Sequence, residues 1–183
     1  EISTLLWLDA SDSNTIEDTA GAVSQWQDKS GQSNHASEST GSKQPITNST
    51  SLNGLNTIDF DGTDDRLRFN NIDLYQKAIF VVYSPDDVSS ATSIIIGGNG
   101  FNNQLRQNTT GALSYASGTS AYDSHPLSPS NVSNNQTFLF STLFETNQMS
   151  MGLNGSYNSS GTHNPGTNGS LFGHIAARGA IAA

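Results

Sequence analysis

The chain has 183 residues, of which 33% are hydrophobic and 13% charged, with 17 Gly and no Cys. Seven basic residues against 16 acidic ones leave a formal net charge of −9, a field that repels phosphate backbones and anionic membranes and so disfavours nucleic acid as a partner. Without cysteine there is no disulfide framework or thiolate metal site, and no apolar run approaches the roughly 20 residues of a membrane-spanning helix.

This length suits one domain with a substantial core, and the surplus of Gly, Ser, Thr and Asn between short apolar runs reads as an all-β domain with long polar loops. Residues 1–183 are taken as a single domain. A start at Glu1 without a charged-then-apolar leader suggests a processed chain or a segment of a larger protein. Asn48, Asn108, Asn131 and Asn158 stand in Asn-x-Ser/Thr triplets, which in so Asn- and Ser-rich a chain arise by chance.

In chain order, residues 2–9 are apolar throughout and predict a strand covered on both faces, with Trp7 buried. Thr15 to Ala22 reads as a loop with at most one helical turn. Val23 to Trp26 forms a short strand that ends in Asp28-Lys29-Ser30-Gly31, where Asp28 accepts bonds from the backbone two residues on; Trp26 is assigned to the core. Ser37 to Ser51 is a polar surface loop with one short edge strand. In Leu52 to Phe69, Ile58 and Phe60 alternate with Thr57, Asp59 and Asp61, the period of a strand with one buried and one wet face. Asp61-Gly62 turns the chain, as a hairpin or a sharp corner, and Leu67 and Phe69 resume the alternation with Arg66 and Arg68 outward.

The run Ala78-Ile79-Phe80-Val81-Val82-Tyr83 is the strongest strand signal and, being apolar on both faces, predicts a central position for 77–84; Ser93 to Gly97 is its expected companion. Short strands follow near Gln104 to Gln107 and Ala112 to Ala116 within a loose, Gly-rich region. Thr137 to Phe144 and Gln148 to Leu153 recover the pattern, the latter with Met149, Met151 and Leu153 inward. Asn154-Gly155 then makes a hairpin turn of the favoured primed type.

The motifs Leu5-Leu6-Trp7-Leu8-Asp9-Ala10, Trp26-Gln27-Asp28-Lys29-Ser30-Gly31, Asn34-His35-Ala36, Asn53-Gly54 and Phe60-Asp61-Gly62 resemble those of the laminin-G-like, concanavalin A-like jelly rolls of bacterial and phage surface proteins. The resemblance covers about the first third of the chain and returns weakly at Asn154-Gly155 and at Leu171 to Ile175; residues 177–183 depart from it. It implies an all-β, two-sheet antiparallel jelly-roll sandwich. It also implies an extracellular or surface-exposed setting, on a secreted, cell-surface or virion protein, and no fixed activity, because one fold hosts many functions.

Some glucanases of that superfamily carry Glu-x-Asp-x-x-Glu on one strand, and Asp59-Phe60-Asp61-Gly62-Thr63-Asp64 is similar to it. A retaining glycosidase needs two carboxyl groups about 5 to 5.5 Å apart, but Gly62 interrupts the strand and every carboxylate is a methylene short, so no catalytic residue is assigned. His35, His125, His163 and His174 lack ligand spacing for zinc. The crowded carboxylates of Asp61, Asp64 and Asp65 need a partner: a cation, Arg66 and Arg68, or turn amides and water. Calcium is the expected cofactor, with Asp9 or Asp28 as further ligands. For glycan, aromatic faces flanked by amides and carboxylates point to Phe101, Tyr115, Tyr122, Asp123 and Tyr157, unless the tyrosines fill the core.

The expected function is a non-catalytic carbohydrate-binding or adhesion module whose partner is a glycan or a surface protein. A structural or decorating domain of a virion or cell surface is the alternative, and a glycoside hydrolase or lyase the third.

Overall fold

A computed structural model of the chain describes residues 3–73, 76–89, 93–97, 104–117, 123–126, 131–145, 149–160, 170–171 and 173–178. Among these residues seventeen strands follow in order: β1 Ile16–Thr19, β2 Ala22–Trp26, β3 Ala36–Ser37, β4 Ile46–Leu52, β5 Leu55–Asp59, β6 Leu67–Arg68, β7 Ile72–Asp73, β8 Ala78–Tyr83 and β9 Ser93–Gly97. They continue as β10 Gln104–Gln107, β11 Leu113–Ser117, β12 Asp123–Pro126, β13 Phe138–Phe144, β14 Met149–Leu153, β15 Ser156–Ser160, β16 Ser170–Leu171 and β17 His174–Arg178. Two short 3-10 turns, Ser13–Thr15 and Gly41–Lys43, are the helical elements among the described residues.

All pairings among the described residues are antiparallel. The larger sheet runs β12-β11-β10-β9-β17-β6-β3-β2-β4-β5 with β1 added on β2, the smaller runs β15-β14-β13-β8, and β16 pairs with β7. One apolar core takes side chains from both sheets, including Ile58, Leu67 and Leu105 from the larger and Phe140, Phe144 and Met151 from the smaller. Tyr115 of β11 meets Phe144 of β13 edge-on at 5.2 Å between ring centroids, which ties the two sheets together. Met149, Met151 and Leu153 all point into this core, as the alternation predicts.

The Asp28 turn forms as expected and joins distant segments. Its Oδ1 accepts from the Trp7 and Ser30 amides, each at 2.9 Å, and its Oδ2 accepts from Ser30 Oγ at 2.7 Å and the Asn34 amide at 3.0 Å. Burial opposes the charge, yet these bonds outweigh it and hold the carboxyl below the usual range. The Asp61 turn is a corner: β5 pairs with β4, whereas β6 pairs with β3 and β17. Ile58, Phe60, Leu67 and Phe69 are buried on either side of it.

Several expectations are corrected. The 77–84 run is the end strand of the smaller sheet and pairs only with β13 among the described residues. Its second apolar face is exposed, with Phe80 at 68% and Val82 at 41%. β9 is no companion to it but pairs with β10 and β17. Residues 3–9 form no ladder. Trp7 is 51% exposed with Lys29 Nζ 4.8 Å from its ring centroid, because Asp9 and Asp12 hold that ammonium at 3.0 and 2.8 Å over the indole. Thr15 to Ala22 carries β1, which turns into β2 through Ala20 and Gly21, both at positive φ. Ser37 to Ser51 is less loop than expected, since β4 fills its second half.

Candidate functional site

The outer face of the smaller sheet is built from a two-residue turn. Asn154 and Gly155 sit at φ 50° and 84°, the left-handed pair of a type I′ hairpin. That turn sets Leu153 opposite Ser156 and therefore Gly152 opposite Tyr157. Asn154 fixes the hairpin on β13, because its side-chain Oδ1 accepts from the Leu139 backbone amide while its backbone N–H donates to Leu139 O, both at 2.9 Å.

Continuing the register across β13 and β8 gives a row Tyr157, Gly152, Ser141, Phe80 perpendicular to the strands. The Tyr157 ring lies across Gly152. A Cβ at position 152 would stand 2.5 Å from Tyr157 Cε1, 2.8 Å from its Cδ1 and 2.5 Å from Ser141 Oγ, so a side chain there would lift the ring. Ser141 Oγ donates to the Tyr157 hydroxyl at 3.2 Å. The ring is thus held along the sheet yet 60% exposed, beside Phe80, Val82, Leu139 and Leu143, which are also exposed. No Asp, Glu, Lys, Arg or His lies in β8, β13 or β14. Such a surface can stack the C–H face of a sugar ring or bury the apolar side chains of a protein.

The other proposed contacts are placed differently. Tyr115 is 1% exposed and fills the core, and burial pushes its hydroxyl pKa up. Phe101 and Tyr122 lie outside the described residues; the backbone of Asp123 belongs to β12. Gly152, Ser141 and Phe80 carry no chemical motif and were missed, although Asn154-Gly155 already implies the pairing of Gly152 with Tyr157.

At the corner, ligand oxygens of Asp61, Asp64 and Asp65 lie within 4.8 Å of one another. Asp61 Oδ1 accepts from the amides of Thr63, Asp64 and Asp65 at 2.8 to 3.4 Å, and these outweigh its burial to lower its pKa. Asp65 Oδ2 accepts from the Asp61 amide at 2.9 Å, but burial, followed by the charges of Asp61 and Asp64, leaves its pKa raised. Arg66 does not compensate the cluster: its Nε donates to Glu38 Oε2 at 2.8 Å, and Lys43 reaches Asp64 only at 3.8 Å. Asp9 and Asp28 are engaged by Lys29 and by turn amides, so neither joins the cluster as a further ligand. Asp59 accepts from Ser49 Oγ at 2.7 Å, so that Asp59 and Asp61, the first two carboxylates of the glucanase-like spacing, are both in structural bonds.

No family model matches the chain, and no curated protein matches it. Among solved structures, a Trypanosoma rangeli sialidase in complex with 2-keto-3-deoxy-D-glycero-D-galacto-2,3-difluoro-nononic acid is similar, with a TM-score of 0.61 and 11% identity over 92% of this chain and 28% of that one. A mutant of Trypanosoma rangeli sialidase displaying trans-sialidase activity is similar with a TM-score of 0.58 and 10% identity, over 95% of this chain and 31% of that one. The chain therefore spans less than a third of either sialidase, and the likeness is one of fold.

Proposed function

We propose that this chain is a non-catalytic carbohydrate-binding module of an extracellular or surface protein, with a laminin-G-like jelly roll, and that it binds glycan on the outer face of the smaller sheet. One observation carries this: an exposed tyrosine is laid along the sheet by a side-chain-free position beneath it and a hydroxyl partner beyond it. A ring fixed before binding loses little conformational freedom on contact, which favours affinity. The fold likeness to part of two sialidase chains is compatible with a role in glycan handling. A non-catalytic role is supported by the structural bonds that occupy Asp59 and Asp61. Analysis of polysaccharide digests by mass tests it, since release of fragments would require the hydrolase or lyase reading.

Calcium at Asp61, Asp64 and Asp65 is part of the proposal. Its support is a cluster of three carboxylates that Lys43 approaches only at Asp64, at 3.8 Å, together with the raised pKa of Asp65. The second reading is a structural or decorating domain, favoured by the aliphatic residues Val82, Leu139 and Leu143 around the ring, which suit a protein surface. A glycan array probed with the chain, with and without chelator, separates the two: saturable glycan binding supports the first, and silence across the array supports the second.

A further inference from the structure

None of the seven lysines and arginines of the chain lies in a strand of the smaller sheet. Lys29 is held by Asp9 and Asp12, Arg66 by Glu38, and Lys43 stands 3.8 Å from Asp64. Arg68, Arg106 and Arg178 belong to β6, β10 and β17 of the larger sheet. Lys77 extends β8 by one residue, its carbonyl accepting from the Phe144 amide at 2.9 Å. Residues opposite one another in an antiparallel pair share a face, and Phe144 is fully buried, so Lys77 falls on the inner side of the sheet. His35 follows the Asp28 turn, His125 and His174 lie in β12 and β17 of the larger sheet, and His163 is outside the described residues. β15 brings no charged residue either, and the residue that directly follows β13 is acidic, the exposed Glu145.

The outer face therefore offers neutral groups among the described residues. Its apolar part is the Tyr157 ring with Phe80, Leu139 and Leu143 exposed beside it. Its polar part is the Tyr157 hydroxyl, which accepts from Ser141 Oγ and so keeps its own proton for a ligand oxygen. Resting on the reading of this face as a glycan site, we infer that its ligand is an uncharged glycan, built of neutral hexoses, pentoses or N-acetylhexosamines, and that a contacting sugar with a carboxylate, such as a sialic or uronic acid, is refused. The C–H face of a neutral sugar stacks on the ring, and its hydroxyls meet a neutral donor. A carboxylate pressed against the same surface loses its water and gains no cation, the costly case of a charge desolvated without a partner. The net charge of −9 repels such a ligand before contact as well. The candidate calcium corner joins β5 to β6 of the larger sheet, so an ion there adds no cation to this face.

An array of neutral hexose oligosaccharides tests it, each printed beside a counterpart whose primary hydroxyls are oxidised to carboxylates, followed by titration of the 183-residue chain and of Tyr157→Ala with the best pair. The neutral member is expected to bind at least about tenfold more tightly than its oxidised counterpart. Raising NaCl from about 20 to 300 mM is expected to leave the neutral affinity unchanged and to strengthen the residual binding of the oxidised member, because salt screens the repulsion. Two results overturn the inference while leaving the glycan site in place: an oxidised member bound as tightly as its neutral partner in a Tyr157-dependent way, or binding of the oxidised member that weakens as salt rises, which is the mark of a cation holding the carboxylate. Silence of every pair, or binding that Tyr157→Ala does not weaken, overturns the glycan site itself and this inference with it.

Discussion

Tyr157 lies across Gly152 with its hydroxyl 3.2 Å from Ser141 Oγ. Gly152 carries no positive φ, so its backbone accepts a side chain and the cost of substitution falls on the ring above it. Gly152→Val is accordingly expected to displace Tyr157, weaken glycan binding by at least about tenfold, roughly 1.4 kcal/mol, and leave the melting temperature nearly unchanged or raised, because valine suits a strand better than glycine. Titration calorimetry with an array-selected glycan and a thermal melt of both forms check the pair of outcomes.

Asp28 is the bond hub between residues 5–7 and the 28–35 turn. Asp28→Ala leaves the amides of Trp7 and Asn34 without their acceptor, and each orphaned amide costs about 1 to 3 kcal/mol when kept from water. A loss of several kcal/mol in denaturant unfolding is expected, and Asp28→Asn, which keeps one acceptor oxygen, is expected to recover part of it.

How far the sequence carried depended on range. Period-two runs and Asn-Gly turns are local, so β2, β13, β14 and the late hairpin were readable from Val23, Met149 and Asn154. Where a strand sits in its sheet is not local. Apolar residues on both faces of 77–84 fit a buried central strand and fit equally an edge strand whose outer face meets a ligand or partner, and the structure shows Phe80 exposed. The same limit separated Tyr115 from Tyr157: both are flanked by short side chains, and only the partner strands reveal that one meets Phe144 in the core while the other crosses Gly152.

His174 gives the acid limb of stability a specific window. Burial, with the charges of Arg68 and Arg66, lowers its pKa to about 4, against about 6.5 when unfolded. Between those values the unfolded chain binds a proton that the folded chain refuses, so stability falls as pH drops from about 6.5 and the loss is complete below about 4, amounting to as much as ~3 kcal/mol. The lowered carboxyls of Asp28 and Asp61 act in the same direction but only below their unfolded values near 3.8, and the raised Asp65 acts oppositely. In melts at pH 4 to 7, His174→Gln is expected to flatten this window.

Calcium is expected to raise the melting temperature of the chain and chelator to reverse it, since an ion that binds only the folded state stabilises it by mass action. Asp65→Asn should abolish the response. No shift at millimolar calcium would mean that the turn amides and Lys43 suffice for the cluster.

The most direct measurement is the affinity of Tyr157→Ala for an array-selected glycan, taken with its melting temperature. A fall of at least about tenfold, roughly 1.4 kcal/mol, with an unchanged melt is the predicted result. Affinity equal to that of the unsubstituted chain would contradict the assignment of glycan binding to the outer face of the smaller sheet.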